Sequence, residues 1–470
     1  MQEREKTEEE KREKLPESVW QKTMAAALVA ALLGLCALGF ALPLRPHYSD
    51  AEKRALRTLP VMRIEGLWSG QYFRDLTSWF SDSFPFRERL LDYGAKLMGL
   101  YGLKGEAVYI SGEQEREEIP SAAAELAPTM ALSGNADAAE NAAETAVESE
   151  AELFETDAEG NLLLPKAADT DIAVSGEKAG NIYVADSRAY ELFYFSQKNV
   201  TAYASMLNTV KSLLPEVKVY DMIVPNSYGV QLDPAVQAKL ASSGMDTAID
   251  FTYSLMHPDI HRISVFSALS MHRDEYIYFH TDHHWTQLGA YYAYVEFCRE
   301  KGISPHALSE FQKAEYDGFY GTFYFSTNRA EALRQNPDRI EAWIPMGTND
   351  MRYRNKDGAE LQGHVVNDGS AMLAGNRYNT FLLGDNPYTE IENPNIQDGS
   401  SILLVKESYG NAFAPFLVDH YQHVYVVDYR YYGGKLTDFI REHQVGEVLF
   451  LNNIMALGQK TSGEMLALFG

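Results

Sequence analysis

An α/β fold with an N-terminal transmembrane helix is what this 470-residue sequence predicts, on three observations. Apolar runs of strand length recur along its second half and are followed by segments with helical spacing. An Asp-x-His pair, Asp282 and His284, stands at one such junction, and a serine, Ser408, ends another run. The third observation is an uncharged Ala- and Leu-rich stretch, Thr23 to Leu44, long enough to cross a bilayer core of about 30 Å.

The chain begins with a charged leader, residues 1–22. Arg4, Lys6, Lys11, Arg12, Lys14 and Lys22 precede the apolar span, against Arg45, Lys53, Arg54 and Arg57 after it. That bias places the leader in the cytoplasm, residues 23–44 across the membrane and the bulk of the chain outside. The leader's length and the lack of a small-x-small site argue against a cleaved signal peptide. Residues 45–112 form a stalk and the start of a globular domain. Gly66–Phe80 and Arg87–Tyr101 have helical spacing, with Pro85 between them.

Residues 113–178 hold 17 acids against 3 bases, −14 of the chain's −25, and their one aromatic residue is Phe154. Such a composition cannot bury a core and predicts a disordered insert. It separates Ala107–Ile110 from Asn181–Val184, which are expected to pair as strands. Most of the acidity therefore belongs to the insert, and no basic footprint for nucleic acid is present. Elsewhere, 46% hydrophobic and 12% aromatic residues supply a large core. The only cysteines, Cys36 in the apolar span and Cys298, cannot pair within the chain.

Residues 179–470 carry the chemistry. Asn199–Leu214 predicts a helix and Val217–Val224 a strand. Tyr276–Phe279 also reads as a strand, and Leu288, Tyr291, Val295 and Cys298 then recur at helical spacing. If residues 278–285 run extended, Asp282 and His284 share a face and His283 points away. An Asp that accepts from one imidazole nitrogen fixes the tautomer and frees the other nitrogen to take a hydroxyl proton. The rival reading is a metal site made from His280, Asp282, His283 and His284, but no further His or Cys motif completes a ligand shell. Trp285 is expected to pack beside the pair. Residues 302–400 read as irregular, punctuated by Gly318, Gly321, Gly358, Gly363 and Gly369.

Two serines compete for the role of nucleophile. Ser408 ends the run from Ile402, and Gly410 beyond it permits a tight turn into Ala412, Phe413 and Phe416. Ser227 ends Val219–Ser227, with Pro225 and Gly229 giving it a loop character. A cap or turn hydrogen bond is the plain structural role for either.

The sequence Asp282-His283-His284-Trp285 resembles the signature of the DHHW family, which is related to the alginate O-acetylation proteins and their circularly permuted SGNH-hydrolase domain. Ser49–Pro60, the block from Asp75 to Arg87 and Lys406–Asn411 resemble further family blocks. The resemblance implies Asp282 as orienting acid, His284 as base and Ser408 as nucleophile, in the order a permuted SGNH domain requires. The usual Gly-Asp-Ser is Lys406-Glu407-Ser408 here. After the expected strand His423–Asp428 comes Tyr429-Arg430-Tyr431, with no glycine until Gly433. After the strand Glu447–Leu451 comes Asn452-Asn453. The Ser408 N–H and Asn453 are the expected oxyanion donors, with Asn452 the alternative and a strand-ending turn the plain role of both.

The resemblance implies an extracytoplasmic O-acetyltransferase acting on a polysaccharide, without cofactor or metal, supplied by a membrane-bound O-acyltransferase partner. A carbohydrate esterase with the same triad and a non-catalytic polysaccharide-binding or assembly protein are the alternatives.

Overall fold

In the computed structural model the described residues are 45–49, 54–62, 71–87, 89–90, 117–120, 177–179, 181–240 and 242–470, with isolated positions at 26, 29, 30 and 34. The leader, nearly all of the span 23–44, the strand expected at 107–110, most of the helix expected at 87–101 and most of the insert lie outside them. No helix among the described residues is long and apolar enough to cross a membrane. The chain divides into two units, Met1–Gly105 and Glu106–Gly470.

In the first unit, Tyr48–Ser49 pairs antiparallel with Arg54–Ala55, and a helix runs from Gln71 to Asp82. The buried Arg45 guanidinium lies 3.8 Å over the Trp79 ring and donates to Ser83 Oγ at 2.5 Å. Asp82 accepts from the Arg57 N–H at 2.8 Å.

The second unit is built on one eight-stranded mixed sheet. Its strands are β1 (Lys218–Val224), β2 (Ile260–Arg262), β3 (Asp350–Arg354), β4 (Glu360–His364), β5 (Tyr388–Glu392), β6 (Ser401–Lys406), β7 (His423–Asp428) and β8 (Glu447–Asn453). Their order is β4-β3-β5-β7-β6-β8-β1-β2. The five strands from β7 to β2 are parallel, and β5, β3 and β4 extend them antiparallel at one edge.

The apolar runs follow from this placement, because a central parallel strand is covered on both faces. In β6, Ile402 and Leu404 enter one core layer and Leu403 and Val405 the other; in β8, Leu449 and Leu451 oppose Val448 and Phe450. The first layer holds the helix Gln287–Lys301 and the segment 410–420, and the second holds the helices Gln197–Leu213, Met245–Ser254, Leu436–Glu442 and Gln459–Ala467. The chain leaves β6 to form β7 on one side and returns to form β8 on the other, so β6 ends at the point where the strand order reverses. Open α/β sheets bind ligands in the crevice such a point leaves.

Three expectations change. Residues 302–400 are not irregular: they hold an antiparallel hairpin, Gln312–Phe319 with Asp338–Ile344, as well as β3, β4 and β5. These strands mix polar with apolar residues, because one face or edge meets solvent. Tyr276–Phe279 is not a sheet strand; it carries a single bridge, Tyr278 to Trp285. Finally, Ile182–Ala185 pairs with Glu177–Ala179 and with Arg188–Glu191, so a strand begins within the span assigned to the insert. At the insert's other end Ile119 packs on the core and Glu117 accepts from the Gln197 N–H.

Candidate active site

Asp282, His283 and His284 sit in a tight bend closed by the Tyr278–Trp285 bridge. Asp338, from the hairpin, holds the bend. Its carboxylate accepts from the His280 N–H at 2.8 Å and from the Thr281 N–H and hydroxyl at 2.7 and 2.5 Å. Burial pushes its pKa up to about 6 against these hydrogen bonds. The extended conformation expected for 278–285 is therefore replaced by a bend, and the Asp–His pairing survives by another route. Asp282 Oδ1 accepts from the His284 backbone N–H at 3.0 Å and meets His284 Nδ1 at 2.5 Å. Thr286 then caps the helix Gln287–Lys301 by accepting from the Gly289 N–H.

The second Asp282 oxygen accepts from the Thr322 N–H at 2.8 Å and its hydroxyl at 3.2 Å. Burial alone would raise the Asp282 pKa, but the imidazoles of His284 and His283 and these hydrogen bonds hold it well below the usual carboxylate range. An ionised acid behind the ring is what a His base needs.

His284 Nε2 lies 2.7 Å from Ser408 Oγ. Ser408 is presented by a sharp turn from β6 into the short helix Gly410–Phe413. A Cβ at position 410 would come within 2.5 Å of Lys406 Cβ, so the turn requires glycine there. Trp285 is buried; it packs beside the pair as expected and donates from Nε1 to the Tyr409 carbonyl at 3.0 Å, tying the bend that holds Asp282 and His284 to the turn that carries Ser408. Tyr378 stacks on His284 with centroids 3.9 Å apart and donates to the Ser408 carbonyl at 3.0 Å.

The two serines are thus separated by geometry. Ser408 meets His284, whereas Ser227 opens the helix Ser227–Gln231 behind the capping Asn226. The asparagines also part, since neighbours in a strand face opposite ways. Asn452 Nδ2 donates to Tyr203 at 3.0 Å in the second core layer. Asn453 donates from Nδ2 to the Val224 carbonyl at 3.1 Å and accepts from the Met455 N–H, which leaves one hydrogen of its amide uncommitted. The Ser408 N–H has no acceptor among the described residues. After β7 the Arg430 N–H, where an SGNH glycine is expected, is turned toward Asp428.

The potential ligand atoms of Asp282, His283 and His284 lie within 4.8 Å of one another. The hydrogen bonds already given use Asp282 and both nitrogens of His284, and His283 Nδ1 meets Thr322 Oγ1 at 2.6 Å. His280 turns away toward Asn336.

Several contributors carry no local sequence signal. Thr322, Gly321 and Asp338 lie in the stretch read as irregular, and Tyr378 lies in a 3₁₀ segment. Beside the turn, Lys406 and Arg430 neutralise Asp428 and Asp385, with Lys406 Nζ 3.0 Å from Asp428 and Arg430 3.0 Å from Asp385. Asp385 in turn accepts from Asn411 at 2.9 Å. Despite burial, the two cations hold Asp385 well below the usual carboxylate range.

The model of a family described as DHHW protein matches residues 52–427. Among solved structures, a DHHW family protein from Eubacterium siraeum is 28% identical, with a TM-score of 0.56; the match covers 62% of this chain and 97% of that one. Bacillus cereus PatB1 with a sulfonyl adduct is 17% identical with a TM-score of 0.51, over 62% of this chain and 98% of that one. The O-acetyltransferase domain of Pseudomonas putida AlgJ aligns at 12% identity and a TM-score of 0.33, over 61% and 99%. No curated protein matches the chain.

Proposed function

The chain belongs to the DHHW family, and from that premise and the hydrogen-bonded line Asp282–His284–Ser408 we propose that it is a serine O-acetyltransferase acting on a polysaccharide. The observation that carries this reading is the 2.7 Å contact between His284 Nε2 and Ser408 Oγ. In this reading residues 179–470 contain a circularly permuted SGNH-type domain, tethered by residues 23–44 and lying outside the cytoplasm.

Ser408 attacks the acetyl carbonyl of the donor while His284 takes its proton, and Asp282 stabilises the imidazolium. The oxyanion is met by the Ser408 N–H and the remaining amide hydrogen of Asn453. The leaving group departs with the proton from His284, leaving acetyl-Ser408. A sugar hydroxyl then gives its proton to His284 and attacks the ester, which restores the serine. The family resemblance supplies the acetyl source, a membrane-bound O-acyltransferase partner. Nothing in this scheme calls for a cofactor.

The test is acetyl release from an activated ester together with acetyl transfer to an oligosaccharide. Asp282→Asn should lower the rate by roughly 10⁴. Changes at His284 and Ser408 should be as damaging, and their combinations strongly non-additive. Ser227→Ala should retain activity. A sulfonyl fluoride, chosen because PatB1 carries a sulfonyl adduct, should label Ser408. Labelling at Ser227, or full activity in Ser408→Ala, would end the assignment. Ester cleavage without any transfer would favour the esterase, and polysaccharide binding with neither reaction the binding protein. Orientation is read by protease treatment of intact cells, which should digest the large domain; its full protection would reverse the topology.

A further inference from the structure

Glu407 stands in the nucleophile turn, yet the triad leaves it without a task. It is buried, and its carboxylate meets two backbone N–H donors and the Ser408 hydroxyl. Oε1 accepts from the Asn453 N–H at 3.0 Å. Oε2 accepts from the Tyr409 N–H at 3.2 Å and lies 3.0 Å from Ser408 Oγ. One backbone donor lies in the turn after β6 and the other ends β8, and swinging the carboxylate away would leave both unsatisfied.

Ser408 Oγ therefore faces two acceptors with one proton. His284 Nδ1 is committed as a donor, since it faces the Asp282 carboxylate. With a neutral ring, Nε2 carries no hydrogen, and one of the two contacts of Ser408 Oγ lacks a proton. One added proton fills both. It sits on Nε2, which donates to Oγ while Oγ donates to Glu407; or it sits on Glu407, which donates to Oγ while Oγ donates to Nε2. The two arrangements have the same composition and differ by shifting two protons along the line. In the first the base is occupied, and in the second Nε2 is ready to receive the serine proton.

We propose that Glu407 is a positioning residue that shares one proton with His284 through the Ser408 hydroxyl. The inference rests on the acyl-transfer reading for the use of that proton, not for its existence. The other ionisable groups around the ring are unchanged when Glu407 is replaced. Asp282 stands at Nδ1, Tyr378 stacks on the ring, and His283 and Tyr409 lean against it. Asp385 faces it with its charge matched by Lys406 and Arg430, and Glu191 faces His283. Tyr429 and Arg430 face Glu407 itself, and Arg430 keeps its pairing with Asp385 and Asp428 when Glu407 is replaced.

The low-field proton resonance of the short Asp282–His284 hydrogen bond, assigned by its loss in His284→Ala, reports protonation without any substrate. It is followed against pH in wild type, Glu407→Gln and Glu407→Asp, each first shown to unfold cooperatively. Loss of the neighbouring carboxylate should move the transition to lower pH, because a nearby negative charge favours the protonated ring. Glu407→Asp, whose charge is drawn back by one methylene, should move it less in the same direction, and it carries the test alone if Glu407→Gln does not fold. Transitions that superimpose on wild type overturn the proposal. A shifted resonance in a protein whose wild type neither cleaves nor transfers acetyl would retire the acyl-transfer reading and leave the shared proton standing.

Discussion

Gly321 shows how far a single missing side chain reaches. Any Cβ there would run into the side chain of Asp282, while the Gly321 N–H donates to Thr281 and the next N–H, of Thr322, to Asp282 itself. The acid behind the base is seated against bare backbone. Gly321→Ala should displace Asp282 and leave Ser408 in place. A displacement of about 1 Å costs about 10² in rate for a positioned group. Ester cleavage should fall by at least that factor and the low-field Asp282–His284 resonance should vanish, while thermal unfolding remains cooperative. Wild-type turnover with the resonance intact would show that the bend yields without cost. From sequence both Gly410 and Gly321 are readable as turn glycines, but the reason Gly321 must be one is not, because its partner Asp282 is distant in the chain.

The same distinction between near and far governs the elements. A strand buried on both faces writes a continuous apolar run, so β1, β6, β7 and β8 are legible within a residue or two, as is the helix Gln197–Leu213. The Asp-x-His pair is legible because acid and base are two residues apart, and Ser408 because its turn follows a legible strand. The bend that pairs them is not, since Asp338 holds it from a hairpin more than fifty positions away. Tyr276–Phe279 is apolar enough for a strand, yet its backbone donors beyond Phe279 go to that carboxylate. Strands β3 and β4 stay hidden for another reason. They close the exposed edge of the sheet, where charged pairs such as Arg352 with Glu390 replace an apolar pattern. Glu407 reads only as a departure from Gly-Asp-Ser, and one of its donors, the Asn453 N–H, appears only once β8 lies beside β6.

The stability of the whole chain is linked to pH through groups far from the chemistry. Asp221, within β1, is fully buried; one oxygen accepts from the Tyr203 hydroxyl at 2.6 Å and the other has no hydrogen-bond partner among the described residues. Burial pushes its pKa up to about 7, against the Tyr203 hydrogen bond. The folded protein therefore keeps this proton over a range in which the unfolded chain, near 3.8, has lost it. Where the native state binds more protons, stability falls as pH rises. The contribution of Asp221 is thus full below about pH 4, declines up to about pH 7 and is constant above. His280 and His420, each pushed down to about 4 by burial, act in the opposite direction, because the unfolded chain takes up their protons first as pH falls. The wild-type curve alone is consequently not diagnostic, and the difference between two proteins is. Asp221→Asn keeps an acceptor for Tyr203 and removes the titration. Its stability relative to wild type, from urea unfolding at a series of pH values, should rise between pH 4 and 7 by on the order of 4 kcal/mol, the free energy of a three-unit shift, and then level off. Parallel curves would mean that Asp221 is ionised in the folded protein throughout, with water reaching its unpartnered oxygen.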